Sequence, residues 1–394
     1  MRLSRIHNLH DFEAGARRKL PRAMFSYIQN GAEDEVTLRR NRSAFDRYAF
    51  VPQMLNDVSA RHQRIELFGH EYDSPFGISP VGLGAMYAYR GDVALARSAT
   101  QMNVPYVLSG ASLTRLETVA QAAPRAWFQA YLPGSREEIQ RLLARAAQAG
   151  YRQLVLTVDI PVSVSPDRYI RNGFSSPLRP SLDLAVQGLT HPRWLFGTFL
   201  RTLVAQGMPH LENWRADRGN PVLSKSLQKD VKNRDNFTWD HIRQARDAWQ
   251  GDLIIKGILS GADAERCAQV GANGIIVSNH GGRQVDCAIS PMTALPEVVA
   301  AAPGLVVMMD SGIRRGSDVL KAIALGARCV FAGRPFNYAV ACAGADGVMH
   351  ALHLLREEVH RNMALLGIDH PYAMNPGRLK DLCAEICEGR LPGL

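Results

Sequence analysis

The run Ile275-Ile276-Val277-Ser278-Asn279-His280-Gly281-Gly282-Arg283-Gln284-Val285-Asp286 organises the rest of the chain. Its apolar, β-branched start predicts a buried strand. The strand ends in Ser, Asn and His and breaks at two glycines, and Arg283 follows. A proton-transfer group and a permanent cation are thus presented together at one strand end. Histidine is the side chain best placed to take a proton near neutral pH. Arginine offers a fork of donors that matches a carboxylate. A base beside a carboxylate clamp suits a 2-hydroxy acid, whose hydroxyl proton and acid group need those two partners.

Seven further segments share the pattern of a short apolar run with a polar or glycine end. They are 76–82, 105–110, 126–131, 154–159, 253–258, 305–312 and 329–334, mostly followed by helical stretches such as 135–143. Buried strands alternating with helices imply parallel βα units. Eight of them predict an α/β fold, a (β/α)8 TIM barrel, whose active site lies at the C-terminal strand ends. Those ends carry Pro80 and Gly82, Ser109, Gln129 and Tyr131, Thr157 and Asp159, Lys256, Ser278 and His280, Asp310 and Gly312, and Gly333 with Arg334. Packing alone does not call for polar groups at every end. The turns at Asp310–Asp318 and Gly333–Pro335 match the phosphate site that barrels place after strands seven and eight, with Arg314 and Arg334 adding charge. A doubly wound sheet is the other architecture such alternation allows, but no G-x-G-x-x-G follows an early strand.

The 394 residues are read as one barrel domain, 1–394, with a mostly helical segment over 1–60. Within it a helix ending at the C-cap glycine Gly31 leaves Tyr27 one turn back. The chain is 46% hydrophobic, yet no apolar run reaches the roughly 18–20 residues of a membrane span. No signal region follows Met1, which predicts a cytoplasmic location. Six scattered cysteines make no disulfide framework. Cys383 and Cys387 share a helix face as reduced packing residues, and no metal site is expected. The net charge of +9 fits an anionic cofactor, substrate or membrane surface better than nucleic acid, because no long basic run interleaves with aromatics.

One gap breaks the rhythm. An insertion of about 160–250 separates the fourth and fifth strands, and over 174–235 Lys and Arg outnumber Asp and Glu. Its stretch Pro192–Val204 is apolar and aromatic with spaced arginines. Two readings stay open: an interfacial membrane anchor, or a lid or subunit contact over the barrel mouth.

With these residues in view, the chain resembles the FMN-dependent 2-hydroxy acid oxidase/dehydrogenase family over almost its whole length. Ser278–Gln284 is that family's signature. Leu20-Pro21, Gly31–Asp34, Phe128-Gln129, Leu156–Asp159, Lys256-Gly257 and Arg314–Gly316 match in order. His191–Trp194, Gly207–Pro209 and Asp286–Met292 look like the (S)-mandelate dehydrogenase branch, in which the long insertion is associated with membrane binding. The resemblance implies FMN as cofactor and a homotetramer, with peripheral contact to the cytoplasmic face of the inner membrane as the expectation that the anchor reading carries. It implies oxidation of an (S)-2-hydroxy acid to the 2-keto acid, with a bulky or aromatic side chain expected on the substrate.

The resemblance also implies roles. His280 is the base, Asp159 supports its imidazolium, and Arg283 clamps the carboxylate. Tyr131 and Tyr27 hydrogen-bond substrate oxygens. Lys256 stands by the flavin N1 and C2 carbonyl. Pro80, Gly82, Ser109, Gln129, Thr157 and Ser278 hold the ring, Asp310 the ribityl chain, and Gly312, Arg314, Gly333 and Arg334 the phosphate. Hydride transfer and a carbanion route both remain open. Electrons pass to a quinone or another acceptor; the alternatives are an oxidase that releases hydrogen peroxide and a flavin-binding, membrane-associated protein without turnover. There is one departure. Pro166 falls where the family places an arginine over substrate and flavin, and Arg168, two residues on, is the candidate to compensate.

Overall fold

A computed structural model describes residues 2–162, 167–175, 179–224 and 234–383, with the backbone alone for 167 and 168. Cys387 lies outside the described residues. Eight parallel strands form one sheet: β1 Phe76–Ile78, β2 Val107–Leu108, β3 Trp127–Ala130, β4 Gln153–Thr157, β5 Asp252–Ile258, β6 Gly274–Val277, β7 Val306–Asp310 and β8 Val330–Ala332. Strand β8 pairs with β1, and a parallel bridge from Ile78 to Tyr106 closes β1 onto β2. The expected barrel is therefore present, and closure leaves no exposed edge.

The strands are apolar throughout because both faces are buried. Alternate residues divide between two clusters. Val107, Trp127, Val155, Ile254, Ile276, Met308 and Phe331 fill the barrel interior, while Leu154, Leu156, Ile255, Ile275 and Val277 pack outward against the helices. Fully burying one such aliphatic side chain contributes about 1.5–3 kcal/mol. A hairpin of Ile65–Leu67 and His70–Tyr72, not foreseen from the sequence, plugs the end where the strands begin. Tyr72 Oη accepts from Trp127 Nε1 at 3.2 Å, in the first residue of β3.

The N-terminal segment is helical as far as Ser43, in α1 Asp11–Lys19, α2 Arg22–Gln29 and α3 Val36–Ser43. Beyond that the expectation fails: Tyr48–Phe50 is a strand, paired antiparallel with Leu379–Asp381. Gly31 is not a left-handed cap either. Helix α2 ends at Gln29, with Asn30 extended at φ −69° and ψ 150°. Gly31 is instead a close-approach residue, because a Cβ there would lie 2.9 Å from Gly282 O. Arginines satisfy the end of α2. Arg334 donates from Nε to Ile28 O at 3.0 Å and from Nη2 to Asn30 O at 3.0 Å, and Arg283 Nη1 donates to Tyr27 O at 2.7 Å. Cations at carbonyl ends are favoured by the helix dipole.

Helix α3 is capped from the signature loop. Asp286 accepts from Val36 N at 3.1 Å and Thr37 N at 2.7 Å. Burial on its own pushes the Asp286 carboxyl up, but these N–H groups outweigh it and hold it below the ordinary carboxylate range. A depressed carboxyl stabilises the fold above its unfolded pKa, and that contribution is lost as pH falls through the folded value. Asp286→Ala is therefore predicted to lower stability in urea unfolding by about 1–2 kcal/mol at pH 7. The deficit shrinks in acid; a deficit that is independent of pH contradicts the cap.

Candidate active site

Strand periodicity assembles the site. Two residues beyond the interior apolar layer, the same inward parity brings up Ser79, Ser109, Gln129, Thr157, Lys256, Ser278, Asp310 and Gly333. Among them Lys256 Nζ and Asp310 Oδ2 form a buried ion pair at 3.2 Å. Its cost is offset by hydroxyls: Lys256 Nζ donates to Ser278 Oγ at 2.8 Å, and Ser79 Oγ donates to Asp310 Oδ2 at 2.9 Å.

Above this ring stands the His280–Asp159 pair, with Nδ1 2.9 Å from Oδ1. Burial would push Asp159 up, but the charges of His280 and Lys256 and the His280 hydrogen bond hold it below the usual carboxylate range. An ionised carboxylate only accepts, so Nδ1 carries the proton and Nε2 keeps its lone pair for a substrate proton. Gly257, at φ +109° beside the register shift between Lys256 and Ile258, makes room for this pair: a Cβ there would lie 2.7 Å from Asp159 Cβ. His280 itself is left-handed, at φ +57°, and Gly281 and Gly282 follow at +69° and +71°. A side chain on Gly281 would strike Arg334 Nη1, and one on Gly282 the α3 backbone at Leu38 N. The Gly-Gly turn thus lets the catalytic loop press against both.

One cleft is lined by Tyr27, Pro80, Gly82, Tyr131, Lys256, His280, Arg283, Asp310, Gly312, Arg314, Gly333 and Arg334. Ser109, Gln129, Thr157 and Ser278 lie buried in the strand ends beneath, and Asp159 behind His280. So every residue expected at the site gathers here except Arg168. It belongs to helix Asp167–Arg171, but its side chain, like Pro166, lies outside the described residues. Arg334 has a structural task besides any phosphate, since its donors already serve α2 and Gly281 O. Burial and the charges of Arg283 and Arg314 bring Arg334 down to about 10. Arg314 is lowered too, mainly by burial. Cations crowded in this way favour an anion between them.

The sequence missed Tyr169, whose hydroxyl accepts from Arg283 Nη2 and whose ring stacks on Tyr27 with centroids 5.8 Å apart. It also missed Trp214, stacked on Tyr131 at 4.7 Å, and Arg234. All three come from the insertion, where no strand period assigns a direction. Ser79 was readable by parity with Asp310.

The chain matches the family model of the FMN-dependent dehydrogenases over residues 16–381. It belongs to that family. It is 38% identical over 377 residues to an (S)-mandelate dehydrogenase of Pseudomonas putida, covering 95% of this chain and 94% of that protein. It is 41% identical over 362 residues to an L-lactate dehydrogenase of Ectopseudomonas mendocina, covering 91% and 94%. A crystal structure described as that of the monotopic membrane protein (S)-mandelate dehydrogenase superposes with a TM-score of 0.87 at 38% identity, covering 96% of this chain and all of that one. A mandelate oxidase structure superposes at 0.79 with 34% identity, covering 95% and 98%. This FMN-dependent dehydrogenase is thus an oxidoreductase on a TIM barrel.

Its own residues fit the flavin. Among the described residues, Gln129 Nε2 and Thr157 Oγ1 are buried without hydrogen-bond partners, a donor and a hydroxyl ready for the polar edge of a bound ring. Thr157→Val is therefore predicted to leave the cofactor-free protein as stable or more so, and to weaken FMN affinity roughly 5–15-fold, one hydrogen bond's worth. Equilibrium dialysis measures this, and unchanged affinity removes Thr157 from the cofactor site.

Proposed function

We propose that this family member oxidises an (S)-2-hydroxy acid to the 2-keto acid. The observation that carries the reading is the convergence of an Asp159-oriented His280 and the Arg283 guanidinium on one cleft. His280 Nε2 takes the proton of the substrate hydroxyl or α-carbon, and Asp159 stabilises the resulting imidazolium. Arg283 holds the carboxylate, with Tyr27 and Tyr131 hydrogen-bonding the substrate oxygens; Arg168 is a further candidate there. FMN supplies the two-electron acceptor. Lys256 would stand by the flavin N1 and C2 carbonyl, where a fixed cation favours the reduced form, and Ser278 would hold the ring edge. Pro80, Gly82, Ser109, Gln129 and Thr157 take the ring, Asp310 the ribityl chain, and Gly312, Arg314, Gly333 and Arg334 the phosphate. The aromatic rings packed on the cleft residues Tyr27 and Tyr131, those of Tyr169, Phe174 and Trp214, support a bulky or aromatic substrate side chain.

His280→Ala is predicted to keep FMN bound while hydroxy acids no longer bleach its visible band; normal reduction refutes the base. Asp159→Asn is predicted to slow reduction roughly 10²–10⁴-fold, because an amide can donate to Nδ1 and shift the ring proton to Nε2. A rate within a factor of two of wild type refutes the pairing.

The reading extends to the membrane. The chain acts as one barrel domain, homotetrameric, with its insertion as a peripheral anchor on the cytoplasmic face of the inner membrane and a quinone as acceptor. No described helix is long and apolar enough to span a bilayer. Two stripes support the anchor: Leu182, Val186 and Leu189 are 83, 50 and 71% exposed, and Phe196, Leu200 and Val204 are 66, 36 and 90% exposed. Residues three or four apart share a helix face, and exposed Arg193 and Arg201 suit anionic headgroups. The opposite face is fastened to the barrel, with Trp194 Nε1 donating to Met86 O at 2.8 Å. Replacing Leu189, Phe196 and Val204 with Gln is predicted to move the protein from the membrane pellet to the supernatant with its FMN intact. Unchanged partition favours a subunit contact. Peroxide release under air, with no reduction of quinone, favours the oxidase.

A further inference from the structure

One guanidinium at the site has no assigned work. Arg234 stands where the insertion returns to the barrel, and it is only 7% exposed. Its Nη2 makes one long contact, 3.3 Å to Thr157 O, and its Nε and Nη1 have no hydrogen-bond partner. Among the described residues no carboxylate pairs with it. Its guanidinium carbon lies 5.1 Å from the centroid of the Tyr131 ring and 5.6 Å from that of Phe237. Burial weakens its basicity, and the proximity of Tyr131 and Asp159 opposes that loss. A buried cation with free donors destabilises a protein unless something anionic arrives to meet it. Such strain is retained where function uses it.

Position narrows what arrives. Thr157 ends β4 two residues before Asp159, and Tyr131 lines the cleft that holds His280 and Arg283. The Tyr131 ring that carries the Arg234 guanidinium thus lines the same cleft as Arg283. Arg283 already spends Nη1 on Tyr27 O and Nη2 on Tyr169, which leaves the cleft short of free donors.

We propose that Arg234 is a substrate-binding residue whose free N–H groups take the carboxylate of the hydroxy acid from the Tyr131 side of the cleft. The inference rests on the hydroxy-acid reading above. It also gives this chain a second guanidinium at the site from a different part of the sequence than Pro166.

The test uses the FMN-loaded enzyme and two unreactive probes, phenylacetate and its neutral amide phenylacetamide, titrated against the visible flavin band. Arg234→Met is expected to weaken phenylacetate about 10–100-fold, the worth of a charge-assisted hydrogen bond, and to leave phenylacetamide unchanged. Arg234→Lys falls between. With a reactive acid, KM rises more than kcat falls. Cofactor-free Arg234→Met melts at or above the wild-type temperature, which separates a binding role from a structural one. Phenylacetate affinity equal to wild type overturns the proposal. So does loss of FMN with carboxylate affinity preserved, which makes Arg234 a flavin contact. A loss confined to dicarboxylic acids overturns it in favour of a distal carboxylate. If no hydroxy acid reduces the wild-type flavin, the proposed reaction fails, while the phenylacetate titration still decides the role of Arg234.

Discussion

Four guanidinium groups, those of Arg234, Arg283, Arg314 and Arg334, gather at the open end of the barrel, and among the described residues their side-chain donors meet carbonyls and a tyrosine hydroxyl rather than carboxylates. Small anions would complete that arrangement. FMN brings a phosphate and a hydroxy acid brings a carboxylate, so cofactor and substrate supply charges that the chain omits. A ligand that binds only the folded state stabilises it by mass action. The protein therefore accepts a costly cation surplus when empty, and the same surplus becomes binding energy when filled.

The surplus is tolerated because the charged groups of the scaffold beneath are paired, Lys256 with Asp310. The barrel interior is apolar up to one layer, and the next layer is a closed polar ring with Lys256 and Asp310 at its centre. The N-terminal helices are fastened to the same end. Asn41 and Asn279 exchange reciprocal amide bonds at 2.7 and 2.8 Å, Asp286 caps α3, and Arg283 and Arg334 take the carbonyls of α2. The loop that carries His280 is thus held from three sides, and its left-handed residues permit those contacts. A histidine held this way would need little rearrangement to act as the proposed base.

The barrel was legible in the sequence because a strand buried on both faces leaves an uninterrupted apolar run that ends abruptly in polar residues. Period two then names the ring from Ser109 to Asp310 residue by residue. Legibility stopped where no period operates. Gly31 was taken for a cap because a glycine after a helix has that commonest use, whereas its actual constraint is the distant Gly282 carbonyl. The hairpin over 65–72 has strands too short to signal themselves. Tyr169, Trp214 and Arg234 pack against Tyr27 and Tyr131 of the cleft from an insertion whose path is set by tertiary contacts, such as Asn213 Nδ2 donating to Thr114 O at 2.8 Å, that lie far apart in the chain.

The His280–Asp159 pair and the surrounding cations are proposed to act on a 2-hydroxy acid beside FMN. The most direct test is an anaerobic visible spectrum of the purified protein during titration with glycolate, L-lactate and (S)-mandelate. The flavin band is expected to bleach, and at lower concentrations of the aromatic acid than of glycolate. A bound flavin that none of these acids bleaches contradicts the proposal.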